Sequence, residues 1–92
     1  MQTQKAPTYL KAITLRDVSD VHAVKDDIKK SMILVLRVTQ LAQKNVDELR
    51  KAVEEIYAIA KTTGADIARL GEERIIITPP GVKIWRAEYD LK

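Results

Sequence analysis

Residues 64–81 read GADIARLGEERIIITPPG, and this stretch decides the predicted fold. Two runs of strand character flank residues 71–73, which supply a turn, so the stretch predicts a β-hairpin. Its second strand contains Ile75, Ile76 and Ile77 in succession. Because successive side chains of a strand point to opposite faces, these isoleucines place apolar surface on both sides of a sheet. Helices of the chain can cover one side, and what covers the other side becomes the functional question.

Three glycines are predicted to shape the turns around this hairpin. Gly64 is expected to end the preceding helix as a left-handed cap, and Gly71 to open the hairpin turn. After the second strand, Pro79 and Pro80 stop the ladder because proline has no N–H, and Gly81 reverses the chain.

The composition is that of one small folded domain. The chain has 92 residues, of which 46% are hydrophobic and 32% charged, as in ordinary soluble globular proteins. It contains no cysteine, which excludes disulfides and thiolate chemistry. The formal net charge is only +3, and the charges are scattered, so the dense basic stripe of a dedicated nucleic-acid binder is missing. No apolar run approaches the roughly 18 residues of a membrane span, and no signal peptide is visible.

Hydrophobic periodicity predicts an alternation of strands and helices. The predicted elements are strand 9–15, helix 18–30, strand 32–38, helix 45–63, the hairpin strands 66–70 and 74–78, and a short last strand 82–86. This order, β-α-β-α-β-β(-β), defines an α+β class: an α/β sandwich with two helices packed on one face of a four- to five-stranded mixed sheet. The domain then spans residues 9–86, between an N-terminal tail or linker remnant at 1–8 and a C-terminal tail at 87–92.

Strand alternation divides the sheet residues into two sets. The set predicted to face the helices is Leu34, Leu36, Ala68, Leu70, Ile75 and Ile77. The open set is then Ile33, Val35, Arg37, Ile67, Arg69, Arg74, Ile76 and Thr78. On the second helix, the stripe expected to cover the sheet is Val46, Leu49, Val53, Ile56 and Ala60. Aliphatic residues mixed with arginine and threonine are unusual on a solvent face and ordinary at an interface, so the open set predicts a partner.

The sequence shows no arrangement of catalytic or metal-binding groups. His22 stands alone on the first helix, where we expect a surface or structural role, since histidine catalysis or metal binding needs partners at defined spacing. The pairs Asp26–Asp27 and Glu72–Glu73 fit solvated charge and turn chemistry. No phosphate-binding glycine loop and no nucleophile elbow is present. We therefore expect no enzyme, no catalytic residue, no cofactor and no metal.

Two groups of side chains leave alternatives open. The cluster of Arg37, Arg69 and Arg74 is compatible with an interface, with nucleic-acid binding or with plain solvation. Trp85 and the tyrosines can stack bases, but core or edge packing is the simpler role because no aromatic pair lies within a strand.

The hairpin also resembles the signature of the SepF family of cell-division proteins. The matching segments are GADI at 64–67, RLG at 69–71, IIITP at 75–79, DVSDV at 17–21, the double-faced strand at 33–36 and YAI at 57–59. The resemblance covers roughly residues 10–84. The few extra residues between Ile59 and Gly64, together with an Ile/Glu/Lys-rich composition, are similar to the archaeal branch of the family.

The resemblance implies a non-enzymatic cytoplasmic adaptor that self-associates and binds the C-terminal tail of the tubulin-like protein FtsZ. It also implies a place at the inner membrane surface of the division site, where the family tethers FtsZ through an N-terminal amphipathic helix. Residues 1–8 have no apolar face for such a helix, so we expect either a truncated core or a member without the anchor. The family's tail-binding pocket lies around the second helix and the sheet near the Thr-Pro motif, which maps to Ile76, Thr78 and Pro79.

Self-association is expected through the open set. The residues assigned to it are Ile33, Val35, Arg37, Ile67, Arg69 and Ile76. A seam between helices at Tyr57 and Ile59 remains an alternative.

Two other function classes remain possible from the sequence. One is a small basic nucleic-acid-binding domain with the strand–helix order of the archaeal chromatin protein Alba. The small net charge and the lack of a lysine-rich loop after the first strand argue against it. The other is a regulatory small-ligand domain of α+β type, for which no ligand loop is recognisable.

Overall fold

The computed structural model describes residues 7–86. Residues 1–6 and 87–92 lie outside it, and with them most of the predicted N-terminal tail and all of the predicted C-terminal tail. The elements in chain order are β1 (Leu10–Thr14), a 3₁₀ turn (Val18–Asp20), α1 (Val21–Lys29), β2 (Ile33–Arg37), α2 (Thr39–Lys44), α3 (Val46–Thr63), β3 (Asp66–Leu70) and β4 (Arg74–Thr78). The predicted α+β class is confirmed.

The four strands form one mixed sheet in the order β1-β2-β4-β3. β1 runs parallel to β2, as a strand–helix–strand crossover requires, whereas β4 is antiparallel to both β2 and β3. β2 and β4 therefore occupy the centre, which explains why both strands are apolar on two faces.

The core lies between one face of this sheet and the helices. Leu34, Leu36, Ile75 and Ile77 of the central strands have no exposed surface, and they share one cluster with the buried residues of α1 and α3. These four of the six residues predicted to face the helices are confirmed in that position.

Three predicted features differ from the structure. Residues 39–44, expected as a connection, form the short helix α2, because burying Leu41 completely holds this segment against the core. Residues 82–86 do not form a fifth strand. Val46, expected in the core stripe, begins α3 and is 59% exposed, whereas Ala52, which was not in the predicted stripe, is fully buried.

The predicted glycine turns are confirmed. Gly64 caps α3 in the left-handed region, with φ 79°, and Gly71 opens the hairpin turn with φ 65°. Gly81 also has a positive φ, 93°.

The face assignment of β3 was wrong. The turn has three residues and sets Leu70 opposite Arg74, so Ile67 lies opposite Ile77 and Arg69 opposite Ile75. Directly opposed residues share a face, and Ile67 and Arg69 therefore lie on the helix side. Ile67 packs against the core there. Ala68, opposite Ile76, and Leu70 lie on the other side instead.

Candidate functional site

The side of the sheet away from the helices, here called the open face, is a mainly apolar surface. Its members, taken from the register of the four strands, are Leu10, Ala12, Thr14, Ile33, Val35, Arg37, Asp66, Ala68, Leu70, Arg74, Ile76 and Thr78. Leu10 and Leu70, at its two edges, are 65% and 47% exposed. A row of aliphatic side chains that crosses the sheet from edge to edge is unusual on a surface that only water covers, and it resembles the core of a protein–protein interface.

The residues predicted for self-association divide between the two sides of the sheet. Ile33, Val35 and Ile76 are half-buried neighbours on the open face, and Arg37 is exposed beside them. Ile67 and Arg69 do not belong to this group, since they lie on the helix side. The structure adds Leu10, Ala68 and Leu70 in their place.

One end of the open face carries two cations side by side. Arg37 and Arg74 are directly opposed on β2 and β4, and both are exposed. Like charges at opposed positions repel each other, so this end is polar and hydrated in the single domain.

The three residues predicted to bind a partner peptide are not equally accessible. Ile76 lies on the open face between Val35 and Ala68. Thr78 is 5% exposed, and its hydroxyl donates to the carbonyl of Val82; Pro79 is buried. Thr78 and Pro79 therefore cannot offer side chains to a peptide while this arrangement persists.

A second candidate surface lies on the helix side, between α3 and the edge strand β3. This cleft, of about 230 Å³, is lined by Val46, Leu49, Arg50, Val53, Glu54 and Arg69. Its walls are aliphatic, and its charged side chains are two arginines and Glu54. Arg69 is accommodated on the helix side because β3 lies at the edge of the sheet. Its long side chain reaches the rim, where Nη2 donates to the carbonyl of Glu72 over 3.2 Å.

The chain after β4 is held against the start of β3 by a charged clamp. This segment, residues 79–86, is called the strap. Arg86 donates through Nη1 and Nη2 to the two carboxylate oxygens of Asp66, at 3.2 and 3.1 Å. The N–H of Ile84 donates to the same carboxylate over 2.9 Å. These bonds from Arg86, and then from Ile84, lower the pKa of Asp66 to about 2.

The groups considered for chemistry are not assembled into a site. His22 and Asp26 are exposed on α1, and Glu72 and Glu73 are exposed in the turn. Asp27 is buried with its carboxylate 2.8 Å from Lys11 Nζ, a structural ion pair between α1 and β1. Within residues 7–86, no group of three or more potential metal ligands occurs. Over the same range, no helix has the length and apolar character to cross a bilayer.

Sequence reasoning missed the cleft and the clamp for different reasons. The sequence gives only a weak signal for the cleft. Val46 belongs to the apolar stripe of α3, but it is the first residue of the helix, and no earlier turn of α3 covers it. The clamp joins Asp66 to Arg86, and no local periodicity connects residues that are 20 positions apart.

The architecture, three helices on one side of a four-stranded mixed sheet, defines a small helix-on-sheet domain with an uncovered apolar side. The model of the family described as "Cell division protein SepF" matches residues 10–84. The chain belongs to the SepF family of cell-division proteins.

Individual relatives agree with this assignment. Cell division protein SepF of Haloferax volcanii is 24% identical over 71 residues, which cover 77% of this chain and 59% of that protein. A SepF-like protein from Pyrococcus furiosus has a TM-score of 0.78 at 26% identity, covering 90% of this chain and 100% of that one. SepF from Methanobrevibacter smithii, solved in complex with FtsZ-CTD, has a TM-score of 0.75 at 24% identity, covering 86% of this chain and 99% of that one. The chain thus spans 59% of its Haloferax relative, and these three relatives are archaeal.

Proposed function

We propose that this domain is a non-enzymatic adaptor of cell division that self-associates and binds the C-terminal tail of FtsZ. The observation that carries the first part is the open face, where Ile33, Val35 and Ile76 have no helix above them. Support for the second part is the relative from Methanobrevibacter smithii, which was solved with FtsZ-CTD. The family match favours this function over the nucleic-acid-binding alternative.

The two activities need separate surfaces, because a face buried between two copies cannot also hold a peptide. The open face suits self-association, since the row of Ala12, Val35, Ile76 and Ala68 across its middle is aliphatic and no helix covers it. The cleft suits a peptide, since it is narrow and lies beside an edge strand, to which an extended segment can add through backbone hydrogen bonds. It also lies beside α3, the second predicted helix, around which the family resemblance places the tail pocket. We therefore assign the tail to the cleft rather than to Thr78 and Pro79.

The adaptor role includes a link to the membrane at the division site. Comparing the location of the full-length labelled protein with that of the domain alone, in dividing cells, tests this part.

Calorimetry with a synthetic FtsZ C-terminal peptide tests the assignment of surfaces. Val46→Asp places a carboxylate in the cleft at an exposed position, the first residue of α3, where acidic residues are favourable for the helix. We expect this variant to fold and to bind the peptide at least about tenfold more weakly, because a charge resists desolvation. Ile76→Lys is the matched control: it should retain peptide affinity and lose self-association in light scattering.

Two outcomes would overturn parts of this proposal. If Ile76→Lys abolishes peptide binding and Val46→Asp does not, the tail binds the open face. If the wild-type domain gives no heat with the peptide, FtsZ binding is not a property of this chain.

A further inference from the structure

Trp85 is the only tryptophan of the chain, and it is the most exposed large apolar residue within residues 7–86, at 86%. An indole is costly to leave in water and is among the side chains most often found as an energetic anchor of protein interfaces. Trp85 lies in the strap, and the hydrogen bonds that hold the strap bear on how the indole is presented.

The residues on both sides of Trp85 are held, Ile84 through its backbone N–H and Arg86 through its side chain. Ile84 donates its N–H to Asp66, and Arg86 donates to both oxygens of the same carboxylate. Arg86 Nη2 also donates to the carbonyl of Ile67 over 2.7 Å, so the strap is attached to the edge of β3 as well. At its other end, the N–H of Val82 donates to the carbonyl of Pro79 over 3.0 Å.

This arrangement restricts the chain that carries the indole before any partner arrives. Binding usually has to immobilise the segment that makes contact, and that loss of freedom weakens the affinity. Here the clamp has already restricted the backbone, while the side chain itself makes little contact with its own domain. The strap therefore presents Trp85 outward instead of packing it.

The cleft between α3 and β3 has the chemistry that an indole requires. Val46, Leu49 and Val53 supply aliphatic walls, and Arg50 and Arg69 supply guanidinium groups at the rim. Guanidinium groups stack on aromatic faces, and tryptophan is the preferred partner in cation–π contacts. Trp85 does not occupy the cleft of its own chain, as its exposure shows.

We propose that Trp85 of one copy inserts into the cleft of a second copy. Anchor and receptor are different surfaces of the same chain, so the contact is heterologous and leaves one Trp85 and one cleft free at the ends. Such contacts extend into filaments unless the rotation closes a ring. The contact uses neither Ile76 nor its neighbours on the open face, and pairing through that face would cross-link the filaments. A peptide bound in the cleft would compete with Trp85.

The single tryptophan makes burial directly measurable in the full 92-residue chain without a label. We expect the fluorescence emission maximum of the wild type to move to shorter wavelength as protein concentration rises. In Val46→Asp, whose Trp85 is intact, this shift should be lost, and circular dichroism should show that the variant is folded. Tyr9→Ala, which removes an exposed aromatic side chain on the far edge of the sheet, is the matched control and should shift as the wild type does.

Complementation separates a heterologous contact from any other association. Trp85→Ala retains its cleft and loses the anchor, whereas Val46→Asp retains the anchor and loses the cleft. Each variant alone should lose the contact, and an equimolar mixture should regain one contact per pair, with the emission shift returning in the mixture only. Both measurements are made without FtsZ, so their result does not depend on whether the tail binds the cleft.

Three results would overturn the proposal. An emission maximum that stays constant while light scattering shows the wild type associating would mean that Trp85 remains in water. A mixture that shows no shift, with both variants folded, would exclude the heterologous pairing. A shift that appears only after addition of phosphatidylglycerol vesicles would assign Trp85 to a lipid surface.

Discussion

The two faces of the sheet are built from the same strands, yet they differ in what covers them. Ile75 and Ile77 are fully buried beneath the helices, whereas Ile76, between them in sequence, is only half-buried on the open face. Hydrophobicity alone does not distinguish the three residues. The difference shows that apolar content on the helix side holds the single domain together, and that apolar content on the open face becomes useful only when a partner covers it.

The largest difference expected from this comparison is in the folding of two variants with lysine at neighbouring positions. Ile77→Lys should prevent folding, because its ammonium group would enter a fully buried site lined by aliphatic side chains. Ile76→Lys should fold, because its side chain can reach solvent across the open face. Circular dichroism and urea denaturation measure both, and a folded Ile77→Lys with an unfolded Ile76→Lys would reverse the two faces.

Truncation at the same positions gives a graded version of the test. Ile77→Ala should lower the free energy of unfolding by about 2–5 kcal/mol, as removal of a buried aliphatic side chain does. Ile76→Ala should cost at most about 1 kcal/mol in the monomer, as for a substitution outside the core.

An ion pair with one buried member, on the helix side, provides the second comparison. Lys11 faces α1 from β1, and its Nζ lies 2.8 Å from an Asp27 carboxylate whose side chain is 5% exposed. Lys11→Met leaves that carboxylate with only Lys30, at 3.9 Å, and should cost about 1–3 kcal/mol for the lost charged hydrogen bond.

Lys44→Met is the matched control, since Lys44 and Asp17 are 2.7 Å apart but are 55% and 44% exposed. It should cost less than Lys11→Met does, because water screens an exposed pair. Equal costs in urea denaturation would show that the burial of Asp27 does not matter.

The hairpin turn provides a third test, because its length sets which residues of β3 lie on which face. Gly71 has φ 65°, and no atom lies within 4 Å of where a Cβ would stand, so a side chain there is strained by the backbone alone. Gly71→Val should cost about 1–2 kcal/mol, while Gly71→Asn should cost less, since asparagine tolerates the left-handed region. Helix content of the folded fraction should not change. An unchanged melting temperature for Gly71→Val would show that the turn does not need glycine.

Much of the fold could be predicted from local patterns. The hairpin, the central position of β2 and the Gly64 cap follow from periodicity and turn chemistry, which act over a few residues. The face of Arg69 could not be predicted from its polarity, because an edge strand lets a long side chain lie on the helix side and still reach water. The three-residue turn did contain the answer, since it places Leu70 opposite Arg74 and thereby fixes the face of every residue of β3.

The candidate surfaces were only half predictable. The open face could be predicted from Ile33, Val35 and Ile76, because strands that are apolar on both faces carry more apolar surface than the helices can cover. The burial of Thr78 and the outward position of Trp85 depend on Asp66 and Arg86, whose pairing is a tertiary contact without a local signature.

The smallest expected effect concerns two carboxylates on opposite sides of the sheet. Asp66 holds the strap, and Asp17 pairs with Lys44 beside the helix layer. The pKa of Asp66 is lowered to about 2 mainly by Arg86, and that of Asp17 is lowered to about 2 mainly by Lys44, both from the ordinary 3.8. A carboxyl group whose pKa is lower in the folded than in the unfolded chain stabilises the folded state at pH values above the unfolded-state pKa. This contribution is lost as the pH falls from about 4 to about 2.

The two carboxylates should differ in what their protonation releases. Below pH 3, protonation of Asp66 should loosen the strap and change the fluorescence of Trp85, and Asp66→Asn should show that change already at neutral pH. Asp17→Asn should leave the fluorescence unaltered, because the Asp17 carboxylate bonds to Ser19 and Lys44 and to no residue of the strap. NMR titration of the two carboxyl groups, with both midpoints expected near 2, checks the pKa values themselves. If Asp66→Asn leaves the environment of Trp85 unchanged, the Asp66 carboxylate does not hold the strap.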